Sequence, residues 1–386
     1  MVSERFKPFG TNIFTEITSR AQEKHAINLS QGFPDFDCPL DFSGAAARAV
    51  SEGNNQYARS MGCPVLVEEI ARAVRVKSGL RYDAYTEVAV FNGASEGIAG
   101  FFLGFLNPGD EVILFEPHYD SYPVCAAMAG AVPRYYTMRY PQFTIEENEL
   151  RKCFNRKTRL LLLNTPHNPT GKVFSREELE LIARLCIEHD VVVITDEVYE
   201  NLTYGPAVHI SMASIPGMRD RTVTVSSAGK TFSITGWKIG WATGPVTLIE
   251  ALQSAHQYLS FATATPLQHA FASVLKTAGE DYYNQLNSEY SERRALLLGS
   301  LEKTGFGVVP PDGAYYILAD FSDLWEGDDR SFVYHLIDRC GVAAIPPSAF
   351  YTEGVEEGKR LVRFAFCKKL DTLREAVLRI EKGLGV

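Results

Sequence analysis

The sequence lacks what builds a metal centre or a disulfide framework. Its seven cysteines, Cys38, Cys63, Cys125, Cys153, Cys186, Cys340 and Cys367, are odd in number and never spaced as CxxC. That scatter fits reduced thiols and argues against a cysteine-rich zinc module. The eight histidines form no HExxH, so a metal site finds no support there either. The phosphate loop GxxxxGK[ST] is absent. Apolar runs such as residues 160–163 are far too short to cross a bilayer. The opening MVSERFKPFG is charged from its third residue and has no signal-peptide apolar core. A net charge of −9 disfavours a nucleic-acid surface. These absences predict a cytoplasmic protein with no metal, no membrane contact and no nucleic-acid partner.

What is present is ordinary in bulk and specific in detail. Apolar residues make up 46% and charged residues 22% of 386 positions, enough for one large domain or two ordinary ones. From about residue 65, helical and extended periods alternate. Residues 65–79 read as an amphipathic helix closed by Gly79, and 87–92 as a strand. A buried-looking helix over 95–106 stops at the turn Asn107–Asp110, and 111–115 is the next strand. The continuous apolar run at 159–164 is what a strand covered on both faces requires. Residues 175–189 read as a helix opened by a Ser175–Glu178 capping box, and strands follow at 191–197 and 221–227. The pattern predicts a wound, mostly parallel α/β sheet. After about residue 275 it changes to a long charged helix over roughly 280–304 and short strands at 315–320 and 360–366, as in a second, smaller domain. The first forty residues show no clear alternation of strand and helix.

Ligands of such sheets sit at the carboxyl ends of the strands, so the residues there carry the functional reading. Asn92–Ser95 places small residues at a strand-to-helix turn, where backbone amides and a positive helix end can hold an anion. Taken alone, it is equally an ordinary helix start. Tyr119, after the next strand, could cover a flat ligand or be a plain core aromatic. Asn164–Gly171 is more specific, because its prolines, asparagines and glycine define a rigid turn able to aim the Asn168 amide. Asp196 ends an apolar strand, where a carboxylate is costly unless it meets a cation or a strong donor. Lys230 follows Ser226 and Ser227 at another strand end. A lysine in such a cleft, near other cations, has a lowered pKa and is a usable amine nucleophile.

With Asn168, Asp196, Tyr199, Lys230 and Lys238 in this order, the sequence resembles the fold type I pyridoxal-phosphate aminotransferases. Within them it is most similar to the group of kynurenine aminotransferase, glutamine transaminase K and the methionine-preferring bacterial transaminases. The resemblance runs end to end, through INLSQGFPDFDCP (27–39), NQYARSMG (55–62), TPHNPTGKVF (165–174), DEVYE (196–200), SSAGKTFSITGWKIGW (226–241) and RLVRFAF (360–366). It implies a large domain over 40–275 with a mostly parallel seven-stranded sheet. A smaller α+β domain would be built from 1–39 and 276–386.

The resemblance further implies that Lys230 anchors pyridoxal 5′-phosphate covalently and carries the proton between substrate and cofactor. Asp196 would pair with the ring nitrogen. Tyr199 and Asn168 would bond the ring oxygen, and Tyr119 would stack on the ring. Ala94, Ser95, Ser227 and Lys238 would hold the phosphate, with Tyr57 reaching it from the second subunit of a homodimer. Arg363 would grip the substrate carboxylate as a planar bidentate donor, and the Gly32 backbone would line the same pocket.

Departures from the family pattern refine the substrate. Lys238 stands where relatives on the aspartate-transaminase branch carry arginine. Ser95 stands where kynurenine-type members often carry an aromatic residue, which speaks against kynurenine. No second arginine sits in a motif for a dicarboxylate, so the expected donor is aromatic, methionine-like or glutamine-like. Two alternatives stay open on sequence: a cysteine-conjugate or cystathionine-type C–S β-lyase using the same residues, and a ligand-sensing regulator of the same fold.

Overall fold

The computed structural model describes residues 2–10, 12–38 and 40–385. The outer residues of the expected domains, Met1, Pro39 and Val386, therefore lie outside the described residues. Seven strands form the central sheet: β1 (Val88–Asn92), β2 (Glu111–Glu116), β3 (Val132–Thr137), β4 (Thr158–Asn164), β5 (Val192–Asp196), β6 (Thr222–Ser227) and β7 (Ile239–Thr243). Their spatial order is β1-β7-β6-β5-β4-β2-β3. All pairings are parallel except those of β7, which runs against both neighbours.

The sequence of β4 explains its central place. Leu160 and Leu162 point into the cluster under the helices Ala94–Phe105 and Val246–Leu259, while Leu161 and Leu163 point into the one under Arg176–Glu188. Period-two alternation of apolar residues on both faces is possible only with helices above and below. Each fully buried leucine contributes about 1.5–3 kcal/mol of transfer free energy. The helix Arg176–Glu188 begins with the reciprocal Ser175–Glu178 capping box read from the sequence.

A second sheet is antiparallel and small: β8 (Gly307–Val308), β9 (Tyr316–Asp320) and β10 (Leu361–Ala365), in the order β10-β9-β8. The early residues are more regular than the sequence pattern suggests. Ile13–Glu23 is a helix whose buried face, Ile13, Ile17 and Ala21, repeats every four residues, with the Asn12 side chain accepting from the Phe14 amide at 2.7 Å. Ile27–Asn28 then pairs in parallel with Val342–Ala343. One hydrophobic cluster joins this N-terminal stretch to residues 286–380, and Val198, Tyr199, Leu202 and Tyr204 contribute to it from the segment after β5.

Candidate active site

Parallel strands bring their carboxyl ends to one edge of the sheet, and antiparallel β7 brings its beginning to the same edge. The turns after β1, β2, β4, β5 and β6 and the start of β7 therefore face one another around a cavity of about 450 Å³. Among the expected site residues, Gly32, Ala94, Ser95, Tyr119, Asn168, Asp196, Tyr199, Ser227, Lys230 and Lys238 line it. Tyr57 and Arg363 do not.

Asp196 closes the floor. It is only 6% exposed, and its neighbours supply donors for the charge that burial would otherwise penalise. Tyr122 Oη donates to Oδ2 at 2.8 Å, and the Val198 amide donates to Oδ1 at 3.3 Å. Burial still dominates and holds the carboxyl above its ordinary range. Register places Asp196 beside Asn164 on β4, whose Nδ2 donates to the Asp196 carbonyl at 2.8 Å and whose Oδ1 accepts the Asn168 amide at 2.7 Å. The turn that carries Asn168 is thus clamped to the strand that carries Asp196.

Lys230 lies in the first turn after β6. Its Nζ donates to the Gly32 carbonyl at 3.0 Å and stands 5.6 Å from the ring centres of both Tyr199 and Tyr315. Burial lowers its pKa from 10.5 to about 8. The sequence reading gives neighbouring cations that effect; here desolvation leads, and Arg363 and Lys238 add to it while Asp196 opposes. An amine of this basicity is partly unprotonated near neutrality and usable as a nucleophile.

The opposite corner is built for an anion. Gly93, at φ +78°, turns the chain from β1 into the helix Ala94–Phe105, whose first amides have no partner within the helix. Lys238 Nζ lies over that turn, where a Cβ on Gly93 would stand 2.8 Å from it. The space is open because residue 93 has no side chain. Ser227 and Ser95 line the same cavity. Ser226, pointing the other way along the strand, gives its hydroxyl to Glu200 Oε1 at 2.7 Å instead.

Arg363 sits in the middle of β10 with no exposure, behind the wall of the cavity. Its Nη1 donates to Asn168 Oδ1 at 2.9 Å and its Nη2 to the Ser30 carbonyl at 2.7 Å, while Nε has no partner. Aromatic rings substitute for a counter-ion: Tyr316, Phe350 and Phe14 lie 4.2, 5.1 and 5.2 Å from the guanidinium carbon. Both of its hydrogen-bond acceptors are neutral oxygens, and the carboxylate of Asp120 acts on it only through charge. A buried arginine in that state has the planar donor geometry that suits a carboxylate. Tyr57 is 87% exposed and packs edge-on against Phe261 at 5.3 Å, away from the cavity of its own chain.

Sequence reasoning misses Tyr122, Tyr315 and Tyr316. Tyr315 Oη donates to the Gly32 carbonyl at 2.6 Å, the same oxygen that Lys230 uses. Tyr316 and Tyr199 share a hydrogen bond of 3.0 Å between their hydroxyls. The consecutive tyrosines beginning a strand are visible in the sequence; their partners, more than a hundred residues away, are not.

Residues 24–380 match the family described as Aminotransferase class I and II. The chain belongs to that family. The solved N-succinyldiaminopimelate aminotransferase of Mycobacterium tuberculosis is 42% identical, with a TM-score of 0.96 over 99% of this chain and 100% of that one. The methionine aminotransferase of Escherichia coli is 37% identical over 97% of this chain and 96% of its own length. The kynurenine–oxoglutarate transaminase of Dictyostelium discoideum is 38% identical over 98% of this chain and 96% of its own. The protein is therefore a pyridoxal-phosphate-dependent transaminase with the fold type I architecture, and it moves an amino group between an amino acid and a 2-oxo acid. Nothing in these likenesses favours β-elimination.

The cavity fits the cofactor in kind. It pairs a cationic corner with exposed amides, a central amine of lowered basicity and a buried, donor-supported carboxyl, matching a phosphate, an aldehyde carbon and a ring nitrogen. When bound, the protonated ring supplies an electron sink for the charge left as the substrate Cα–H bond breaks. Among the described residues no group of three or more metal-ligating side chains forms, and no helix is long and apolar enough to cross a membrane.

Proposed function

We propose that this transaminase takes amino donors with uncharged side chains, aromatic, methionine-like or glutamine-like, and returns the amino group to a 2-oxo acid in a ping-pong cycle. The observation that carries the catalytic assignment is Lys230, an amine with pKa about 8 at the centre of the cavity and in contact with the Gly32 carbonyl. Lys230 anchors the cofactor and then carries the Cα proton. Asp196 holds the ring nitrogen, while Tyr199 and Asn168 hold the ring oxygen, with Tyr119 over the ring. Ala94, Ser95, Ser227 and Lys238 receive the phosphate. Arg363 orients the carboxylate, and Gly32 lends backbone to the same pocket. For the donor class, support comes from the cations lining the cavity, Lys230 and Lys238, both committed to the cofactor. No arginine lines it among the described residues, and Arg363 behind its wall is the one assigned to a carboxylate.

The active unit is a homodimer in which Tyr57 reaches the neighbouring phosphate. Its exposed ring stands with Tyr258, Leu259 and Phe261, which are 87%, 49% and 48% exposed, an apolar edge of the kind a second copy covers. We assign residues 40–275 to a large cofactor-binding domain and 1–39 with 276–386 to a small one. The cluster that joins Ile13–Leu29 to the C-terminal part supports grouping those two segments, and residues 198–204 of the large domain pack into it. Cytoplasmic action fits the free cysteines, most of them buried.

A half-reaction screen tests the donor class. Holoenzyme is mixed with each common amino acid, and loss of the cofactor's visible band is timed. Methionine, glutamine or an aromatic donor reacting fastest is the expected result; aspartate reacting fastest would overturn it. Mixing inactive Tyr57→Ala and Lys230→Ala chains should restore activity through hybrid dimers, and no restoration refutes the shared site.

A further inference from the structure

We propose that Tyr122 keeps the proton shared between Asp196 and the cofactor on the ring nitrogen rather than on the carboxyl. The inference rests on the assignment of Asp196 to that nitrogen.

A carboxyl facing a pyridine nitrogen can hold one proton in two ways. In one, the proton sits on nitrogen opposite a carboxylate; in the other, it sits on oxygen and both groups are neutral. A buried site favours the neutral pair, because separated charge is poorly solvated there. Asp196 occupies such a site, and burial makes its carboxyl more basic than usual. Unopposed, that basicity would draw the proton off the ring and weaken the electron sink.

The structure opposes it at one point above all. Tyr122 Oη is 2.8 Å from Asp196 Oδ2, and the tyrosine is itself 3% exposed. Its ring is held at the first turn of the helix Ser121–Ala129, edge-on to Tyr119 with centroids 5.7 Å apart. The hydroxyl thus has one fixed acceptor. A hydrogen bond to the ionised form stabilises that form selectively. Burial and the neighbouring carboxylate also hold the hydroxyl well above its ordinary range, so it remains a donor. The other groups that bear on Asp196 are fewer in kind: the Val198 amide and the Lys230 charge favour the carboxylate, and the Glu197 charge disfavours it. Tyr122 is the side-chain donor among them. Only a proton changes place, from oxygen to nitrogen within one hydrogen bond. Tyr122 also lines the cavity, but the role assigned to it runs through Asp196, which makes it a positioning residue.

The test reads the nitrogen itself. Holoenzyme is prepared with cofactor labelled with nitrogen-15 in the ring, and its chemical shift is compared across variants. Tyr122→Phe keeps the ring and loses the hydroxyl. The proton ratio should move toward oxygen by about tenfold or more, as expected for one hydrogen bond to a charged group, shifting the signal toward that of unprotonated pyridine. An unchanged signal overturns the proposal. Should the phenylalanine variant unfold, 3-fluorotyrosine at 122, a stronger donor of nearly the same shape, must leave the nitrogen at least as protonated as in the parent; a shift toward unprotonated pyridine overturns the proposal. Asp196→Asn separates this from the underlying reading. If the nitrogen stays protonated in that variant, the Asp196 assignment has failed. If it loses its proton and Tyr122→Phe adds nothing further in that background, Tyr122 acts through Asp196. An equal effect of Tyr122→Phe in both backgrounds contradicts the proposal.

Discussion

Arg363 and Asn168, on a strand of the small sheet and a turn of the large one, are joined by a hydrogen bond of 2.9 Å from Nη1 to Oδ1. Asn168 is in turn clamped through Asn164 to the strand of Asp196. The proposed substrate-carboxylate and ring-nitrogen sites therefore share one bonded frame.

Arg363→Lys keeps the charge and loses the planar fork. It should lower kcat/KM for the amino donor by about 10–100-fold, the worth of a lost hydrogen bond to a charged group. Cofactor affinity should stay near that of the parent. Steady-state kinetics with a fluorescence titration of the cofactor check this, and an unaltered kcat/KM would remove Arg363 from the site.

Gly32 is fixed by a close approach. A Cβ there would lie 1.9 Å from Tyr316 Oη and 3.0 Å from its Cζ. Gly32→Ala should push Tyr316 off both Tyr199 and Arg363 and displace the carbonyl that receives Lys230. Turnover should fall at least about tenfold, on the scale of a hydrogen-bonded site shifted by a fraction of an ångström. Adding Tyr316→Phe removes the nearest atom and should recover part of the loss. No recovery in the double variant would mean that the clash lies elsewhere.

The amine of Lys230 carries a signed pH prediction for the apoenzyme. Its folded pKa, about 8, is below the ordinary 10.5, so the unfolded chain binds more protons between those values. Folding bears the full penalty below about pH 8 and sheds it as pH rises toward 10.5. Lys230→Met apoenzyme should accordingly melt higher than the parent at pH 7, with the gap closing above about pH 10. A melting curve that shows the parent as the more stable protein at pH 7 contradicts the burial of this charge.

Acid should act through two histidines in the loops that carry the site. Burial pushes His118 down to about 4 and His167 to about 3 from 6.5. Both stay neutral in the fold while the unfolded chain protonates, so stability is lost as pH falls from 6.5 through those values. Each tenfold change in proton affinity is worth about 1.4 kcal/mol, which makes the combined loss on the order of several kcal/mol. Replacing both with glutamine should flatten the dependence of the denaturation midpoint on pH in this window. An unchanged slope assigns acid sensitivity to other groups.

The strands of the central sheet are legible because their signal is local. Leu160–Leu163 and the β-branched runs of β5 and β6 need no distant partner to be read. β3 escapes such a reading because VPRYYT is an edge strand, with one buried residue, and carries proline and arginine. The helix Ile13–Glu23 has the spacing but lies among glycine- and proline-rich neighbours. The strand-end residues can be named one by one, yet only a resemblance assigns them roles. What stays hidden are contacts between distant elements. Tyr122 meets Asp196 across 74 residues, and the rings that wall off Arg363 come from three separate parts of the chain.

The central claim is that the amine at the end of β6 anchors the cofactor. Borohydride reduction of holoenzyme, followed by proteolysis and mass spectrometry, tests it at a single atom. The expected product carries the reduced cofactor mass on the Nζ of Lys230, and that mass is lost in Lys230→Ala. Label on Lys238, or on no lysine, contradicts it.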